Sequence, residues 1–230
     1  MDGSVVAVLG DRKTGKSVFA RGLLRGWARQ GALAVYCTPN GRQSDPLEYG
    51  VEFSIARAES GERLPYAIAL REDPEDVAVF VIRAATKFDV ALLLDEAHET
   101  LYEGFSGQSE LGSLFHRGRH LGVHLILVSQ WPARIDKRIF RAATTVYWFR
   151  LHAHEDLRWV EQRWGETAAR EIASLPDYHH LEIQGDSLPS SWRRFDDLTP
   201  SEASIPPEPY ATTPDFEDVP LKSIAESQES

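Results

Sequence analysis

The chain has 230 residues, 42% hydrophobic and 26% charged, which fits one soluble domain, at most one and a half, with a sizeable core. No apolar run approaches the ~18–20 residues of a membrane span, and Met1-Asp2-Gly3 is too short and acidic to open a signal peptide. The single cysteine, Cys37, excludes an internal disulfide framework or a Cys-rich metal site and fits the cytoplasm. With 25 basic against 35 acidic residues, net −10, nucleic acid would have to be met by a local patch, not by blanket positive charge.

In chain order, Val5-Val6-Ala7-Val8-Leu9 is a continuous apolar run, as in a strand buried on both faces. A glycine-rich turn follows, then a helix over 17–30 with Val18, Leu23, Leu24 and Trp27 available for burial. A second strand is expected over 32–36 and a short one near 51–55. Asp73-Pro74 is an N-cap and first-turn signal that opens a helix reaching about Thr86. Further strands are expected over 90–94, 123–128, 145–151 and 180–183, with helices over 110–121, 155–163 and 166–174. Buried strands alternating with helices define an α/β fold, a mostly parallel central sheet with helices on both faces. Residues 187–230 differ, holding 9 acidic and 3 basic residues and 7 of the chain's 13 prolines. Without a helical or strand period such a stretch cannot offset its ordering entropy. The folded domain is therefore expected over 1–186, with 187–230 an acidic Pro-rich tail, extended or disordered, that solubilises the chain or docks a partner.

Gly10-Asp11-Arg12-Lys13-Thr14-Gly15-Lys16-Ser17 fits G-x-x-x-x-G-K-[ST] at every fixed position, with an apolar strand before it and a helix after. Its glycines let backbone N–H groups turn onto phosphate oxygens at a helix N-terminus. Lys16 is expected on the β- and γ-phosphates of a nucleotide and the Ser17 hydroxyl on Mg²⁺. Arg12 and Lys13 add charge inside the loop and are expected to be solvated, with phosphate or a neighbouring subunit as the alternative.

Val90-Ala91-Leu92-Leu93-Leu94 ends in Asp95-Glu96. At a strand's C-terminal edge, Asp95 can hold the Mg²⁺ water shell beside Ser17, while Glu96, on the opposite face by strand alternation, polarises an attacking water. A base placed for water suits hydrolysis better than transfer to a bound hydroxyl. His98 and Glu99 are expected at the surface, at a helix start, with tuning of the site as the alternative for either. Gln130, after the apolar run 125–128, faces the γ-phosphate if its strand neighbours those of the loop and Asp95. Arg119, near a helix end, either reaches a neighbouring subunit's nucleotide as an arginine finger or interacts with the helix dipole. Arg117 is the weaker candidate for the same role.

Arg119-His120-Leu121-Gly122-Val123-His124-Leu125-Ile126-Leu127-Val128-Ser129-Gln130-Trp131-Pro132 resembles the R-x-x-G-[IV]-H-L-[hydrophobic]₃-[ST]-Q-x-P signature of the FtsK–HerA superfamily of DNA-pumping ATPases. The loop and the acidic pair match that superfamily's Walker A and B motifs in order and spacing, and Thr144 to Leu157 is similar to its last core strand and helix. The resemblance covers about 4–186. It implies a RecA-like P-loop NTPase fold, ATP with Mg²⁺, a homo-oligomeric ring of six subunits and double-stranded DNA as cargo. With a first strand expected at Val5, the membrane, DNA-orienting or barrel domains of cellular members are not expected here. The chain is in this respect similar to the genome-packaging ATPases of membrane-containing tailless viruses. That similarity implies capsid vertex or portal proteins as partners and a place in the host cytoplasm or on the virion. Trp131 departs from the pattern, standing where an arginine often follows the motif glutamine.

Arg134, Lys137, Arg138 and Arg141 fall at i, i+3, i+4 and i+7, one stripe of a helix if the segment is helical, with Trp131, Ile135 and Ile139 as anchors on another face. The stripe suits a pore tracking a phosphate backbone, and a solvated helix face is the alternative. The loop Glu103-Gly104-Phe105-Ser106-Gly107-Gln108-Ser109 is the other pore candidate, with Gln108 and Ser109 as phosphate donors. These residues support a DNA translocase that packages a viral genome. A cellular HerA-like DNA-processing motor and a phage morphogenesis ATPase acting on proteins are the alternatives.

Overall fold

Every residue of the first apolar run is buried, because the strand it forms, β1 (Val5–Leu9), lies between two others. The structure, a computed structural model, describes residues 3–38, 51–52, 54–60, 67–184 and 193–195. After β1 come helix α1 (Lys16–Arg29), β2 (Leu33–Cys37), β3 (Val51–Glu52), α2 (Ile55–Glu59), β4 (Ala67–Leu70), α3 (Pro74–Ala84) and β5 (Val90–Leu94). Then follow α4 (Glu110–Arg117), β6 (Val123–Ser129), α5 (Lys137–Ala142), β7 (Thr145–Trp148), α6 (His154–Trp164), α7 (Glu166–Ser174), β8 (His180–Gln184) and β9 (Arg193–Phe195). Short 3-10 turns occupy Ala97–Glu99, Gly118–Leu121 and Pro132–Arg134.

The described strands make one sheet in the order β3-β4-β2-β5-β6-β1-β7-β8-β9. All pairs from β3 to β7 along that order are parallel, and β8 and β9 extend the sheet with antiparallel pairs. Leu9 pairs with Ser129 and Trp148, and Leu94 with Leu127, so the chain leaves β1, β5, β6 and β7 at one common edge. In open parallel sheets ligands bind outside that carboxyl edge.

Side-chain alternation divides the core in two. Val5, Ala7, Leu9, Leu92, Leu94, Leu125 and Leu127 join apolar residues of α3, α4, α5, α6 and α7. Val6, Val8, Ala34, Ala69, Ala91, Leu93, Ile126 and Val128 cluster with Ala20, Leu24 and Ala28 of α1. The small alanines on this second face let α1 lie close to the sheet, which fixes the height of the loop preceding it.

The α/β architecture with a mostly parallel sheet and helices on both faces is the one expected. Asp73 caps α3, accepting from the Glu75 N–H at 2.8 Å, with Pro74 in the first turn. Five segments differ from expectation, one being the strand expected over 145–151, which ends at Trp148. The strand expected near 51–55 stops at Glu52, because the Ser54 side chain accepts from Arg57 N and starts a helix at Ile55. β4 was not anticipated. The helix expected over 110–121 tightens into a 3-10 turn at Gly118. Residues 193–195, inside the expected tail, pair with β8 as a ninth strand; the remainder of 187–230 lies outside the described residues. Among the described residues no helix is long and apolar enough to cross a membrane.

Candidate active site

The loop between β1 and α1 is built on three positive-φ residues, Gly10 (148°), Lys13 (64°) and Gly15 (102°). At Gly10 a β-carbon would stand 2.6 Å from Phe149 Cβ, and at Gly15 2.7 Å from the Tyr178 ring, so both positions require glycine for space as well as for backbone angle. The segment that follows β7 holds the loop from one side: Asp11 N donates to Arg150 O at 2.8 Å, and the Asp11 carboxylate accepts from the His152 N–H at 2.8 Å and pairs with its ring at 2.7 Å. Thr14 closes the turn by donating to Asp11 O at 2.8 Å.

Lys16 is buried, and its ammonium donates to the Asp11 carbonyl inside the loop. Burial pushes its pKa down to about 8, against the attraction of Glu96, Asp95 and Asp11. Asp95 continues the β5 ladder through its N–H to Cys37 O at 3.1 Å. One carboxylate oxygen accepts from Glu96 N (2.9 Å) and the other from Tyr36 OH (3.2 Å), yet burial still holds the carboxyl above its ordinary range. A half-buried carboxylate with spare lone pairs near Lys16 fits the water shell of Mg²⁺. Among the described residues no group of three or more His, Cys, Asp or Glu could hold a metal.

Glu96 adopts the left-handed region (φ 49°), so strand alternation ends at Asp95 and a turn, not the pleat, directs its side chain. That turn brings it to Gln130, whose amide N–H group donates to both carboxylate oxygens at 3.0 and 3.1 Å. The amide oxygen of Gln130 accepts from Arg12 Nε at 2.6 Å. Arg12 is exposed, as expected, and through its Nε it is also the first member of a chain Arg12–Gln130–Glu96 that links the phosphate loop to β5 and β6. Burial, then the nearby Asp95, raises the Glu96 pKa. His98, expected at the surface, is buried: its Nδ1 lies 3.1 Å from Ser129 Oγ and 3.5 Å from Glu96 Oε2, and its ring meets Trp131 edge-on at 4.5 Å. Burial pushes it down to about 4, with Arg134 and Arg12 in the same sense, so it is a neutral support for Glu96. Glu99 is exposed, as expected. A cavity of about 330 Å³ lined by Asp11, Arg12, Gln130, Trp131, Arg150 and His152 adjoins this network.

Arg119 stands elsewhere. It is exposed in the 3-10 turn before β6, where its carbonyl accepts from Gly3 N at 2.8 Å. That is the edge of the sheet where β1 and β6 begin, opposite the phosphate loop, so Arg119 serves no nucleotide of its own subunit.

The basic residues do not form one helical stripe. Arg134 ends a 3-10 turn, Ile135 is extended and bridges Tyr102, and Asp136 caps a new helix that begins at Lys137. Arg138 is held by Asp136 (Nε to Oδ1 2.9 Å, Nη2 to Oδ2 3.0 Å) and by Phe105 O (2.8 Å), with its guanidinium over the Phe105 ring. These bonds from Arg138 hold the Asp136 carboxyl down at about 2. Lys137 pairs with Glu103 at 3.1 Å, and Arg134 covers the Trp131 ring at 4.6 Å. Arg141 is exposed on α5. Ile135 and Ile139 are buried, the anchoring role expected of them. Gly104 N donates to Asp136 Oδ2 and Glu103 N to Arg134 O, so the two pore candidates are one connected unit. Within it Gln108 is exposed, while Ser109 caps α4 by accepting from Gly112 N at 3.1 Å.

Fold and loop together define a P-loop NTPase. Residues 51–154 match the family described as Zonular occludens toxin (Zot). No curated protein matches the chain by sequence. Among solved structures it is similar to the genome packaging NTPase B204 of Sulfolobus turreted icosahedral virus 2 in complex with ATP-gammaS, at 19% identity over 86% of this chain and 98% of that one, TM-score 0.72. It is also similar to B204, the DNA-packaging ATPase of Sulfolobus turreted icosahedral virus, at 17% identity over 86% and 100% of the two chains, TM-score 0.73. VirB4 of Thermoanaerobacter pseudethanolicus gives 12% identity, 86% and 90% coverage and a TM-score of 0.58. The chain has the fold of the FtsK–HerA superfamily of P-loop ATPases, the group its motifs resemble.

Proposed function

We propose that this chain hydrolyses ATP to translocate double-stranded DNA, packaging a viral genome into a preformed capsid. The observation that carries the proposal is the Arg12–Gln130–Glu96 chain. A carboxylate held by both oxygens, next to a loop built for phosphate, is suited to orienting a water and to responding when a γ-phosphate engages the same loop. In this reading residues 10–17 cradle the phosphates, Lys16 neutralises them, and Ser17 and Asp95 hold Mg²⁺. The ion would supply charge neutralisation at the phosphates. Glu96 accepts the proton of the attacking water and Gln130 positions Glu96. Arg119, on the opposite edge, completes the site of a neighbouring subunit in a hexameric ring, where a finger is worth about 10³–10⁵ in rate. Arg134, Lys137 and Arg141, with the exposed Tyr102, would face the DNA, while Arg138 supports the loop. The similarity to B204, a genome-packaging ATPase, supports this reading.

One observation favours a second reading. Two of the four basic residues already have carboxylate partners within the chain, Lys137 with Glu103 and Arg138 with Asp136. This leaves less free positive charge for a phosphate backbone and supports an ATPase of phage morphogenesis that acts on proteins. Steady-state ATP hydrolysis with and without long duplex DNA tests the choice, with Glu96→Gln as control. Marked stimulation by duplex, abolished in the variant, is expected; hydrolysis indifferent to DNA at low salt would favour the protein-directed reading.

A further inference from the structure

Three described residues other than glycine have positive φ: Lys13, Glu96 and Tyr178. Backbone strain of this kind persists where the surroundings over-determine it, and it concentrates at ligand sites. The first two belong to the phosphate loop and the acidic pair. The third, Tyr178 (φ 64°), lies in the turn between α7 and β8, yet it closes on the same loop. Its N–H donates to Thr14 O at 2.9 Å, and its ring lies against Gly15. The turn is fixed on both sides: the adjacent Asp177 is salt-bridged to Arg150, the residue whose carbonyl holds Asp11, and His180 packs its ring on Phe19 at 4.6 Å and on Phe149 at 5.5 Å. Despite these restraints Tyr178 as a residue is 37% exposed, one of three large hydrophobic residues so open among the described residues.

The sheet order says what such a ring meets. Glu96 and Gln130 follow β5 and β6, on one side of β1; the turn holding Tyr178 precedes β8, on the other side, beyond β7. β8 is antiparallel to β7, so its start lies at the same carboxyl edge as the loop. A nucleotide whose γ-phosphate is presented to Glu96 and Gln130 runs its α-phosphate and base towards the opposite flank. We infer that Tyr178 is the platform on which the nucleotide's purine base stacks, its strained backbone being the means of aiming the ring over the loop. This inference rests on the phosphate-loop reading above, and its test separates the two.

The test measures calorimetric Kd values for AMPPNP and for inorganic triphosphate, both with Mg²⁺, on the wild-type chain, Tyr178→Ala, Tyr178→Phe and Lys16→Ala. Base–aromatic stacking predicts that Tyr178→Ala weakens AMPPNP by about tenfold, triphosphate by less than twofold, and that Tyr178→Phe binds both as the wild type does. Equal weakening of both ligands would make Tyr178 a prop for the loop and overturn the inference. So would no weakening of either, or a Phe variant as weak as the Ala variant. Lys16→Ala is expected to lose both ligands; if it binds both normally, the phosphate-loop reading itself fails, whatever Tyr178 does.

Discussion

Two charged regions of this molecule, the corner around Lys16, Asp95 and Glu96 and the segment 134–141, treat their charges in opposite ways. In the corner, Lys16 is pushed down to about 8 and both carboxyls are raised, in each case chiefly by burial. The groups are desolvated and held in position without being fully compensated. In the segment, Arg138 and Asp136 satisfy each other so completely that Asp136 falls to about 2. A folded chain that maintains uncompensated buried charge is storing free energy that an incoming ligand releases. A chain that closes its ion pairs internally is spending them on shape. Charge density alone therefore says little about where a ligand binds; the state of its partners says more.

Glu96→Gln attacks the comparison at its strongest point. Removing the base is expected to lower ATP turnover by about 10²–10⁴ while AMPPNP binding is retained; turnover near that of the wild type would mean the corner's carboxylate is structural after all. Asp136→Asn attacks the other side. It should lower the unfolding free energy measurably, by less than a fully buried pair would because Arg138 is solvent-exposed, with little change in turnover. Because the folded pKa of Asp136 is depressed, its stabilisation is complete above about pH 4 and disappears as pH falls through about 2. Wild type and variant should thus differ in urea titrations at pH 6 and converge at pH 2; an equal gap at both would show that the ion pair is not the cause.

Arg12→Ala sharpens the picture inside the corner. If Arg12 acts through Gln130, turnover falls by about tenfold, and Arg12→Ala with Gln130→Ala is no slower than Gln130→Ala alone. Additive losses would instead put Arg12 directly on phosphate. The smallest effect belongs to Lys137→Ala, whose pair with Glu103 is exposed on both sides; a change in stability beyond about 0.5 kcal/mol would be more than such pairs usually give.

The phosphate loop and the acidic pair were legible because their chemistry fixes residue type at fixed spacing along one stretch of chain. What escaped reading depends on partners far away in sequence. His98 looks like a surface histidine until Ser129, 31 positions on, lies against it. The exposed Arg12 shows no partner in the sequence, because Gln130 is set across from it by the pairing of β1 with β6. Tyr178 carries no motif at all. The helical stripe failed for a local reason, and one that was visible: Asp136 directly before Lys137 is an N-cap, and its N-cap preference divides the segment. β4 is only four residues long, too short a run for its period to stand out.

Cys37, at the end of β2, has consequences for the bench. It is the only cysteine in the sequence, it is fully buried, and burial, reinforced by Glu72 and Asp73, pushes its thiol up to about 12. Because the thiolate is the reactive form, maleimide dyes at neutral pH should pass it by. A cysteine introduced on the surface would then carry the label alone, so paired fluorophores can be installed for distance measurements during turnover without first stripping the native thiol from the core.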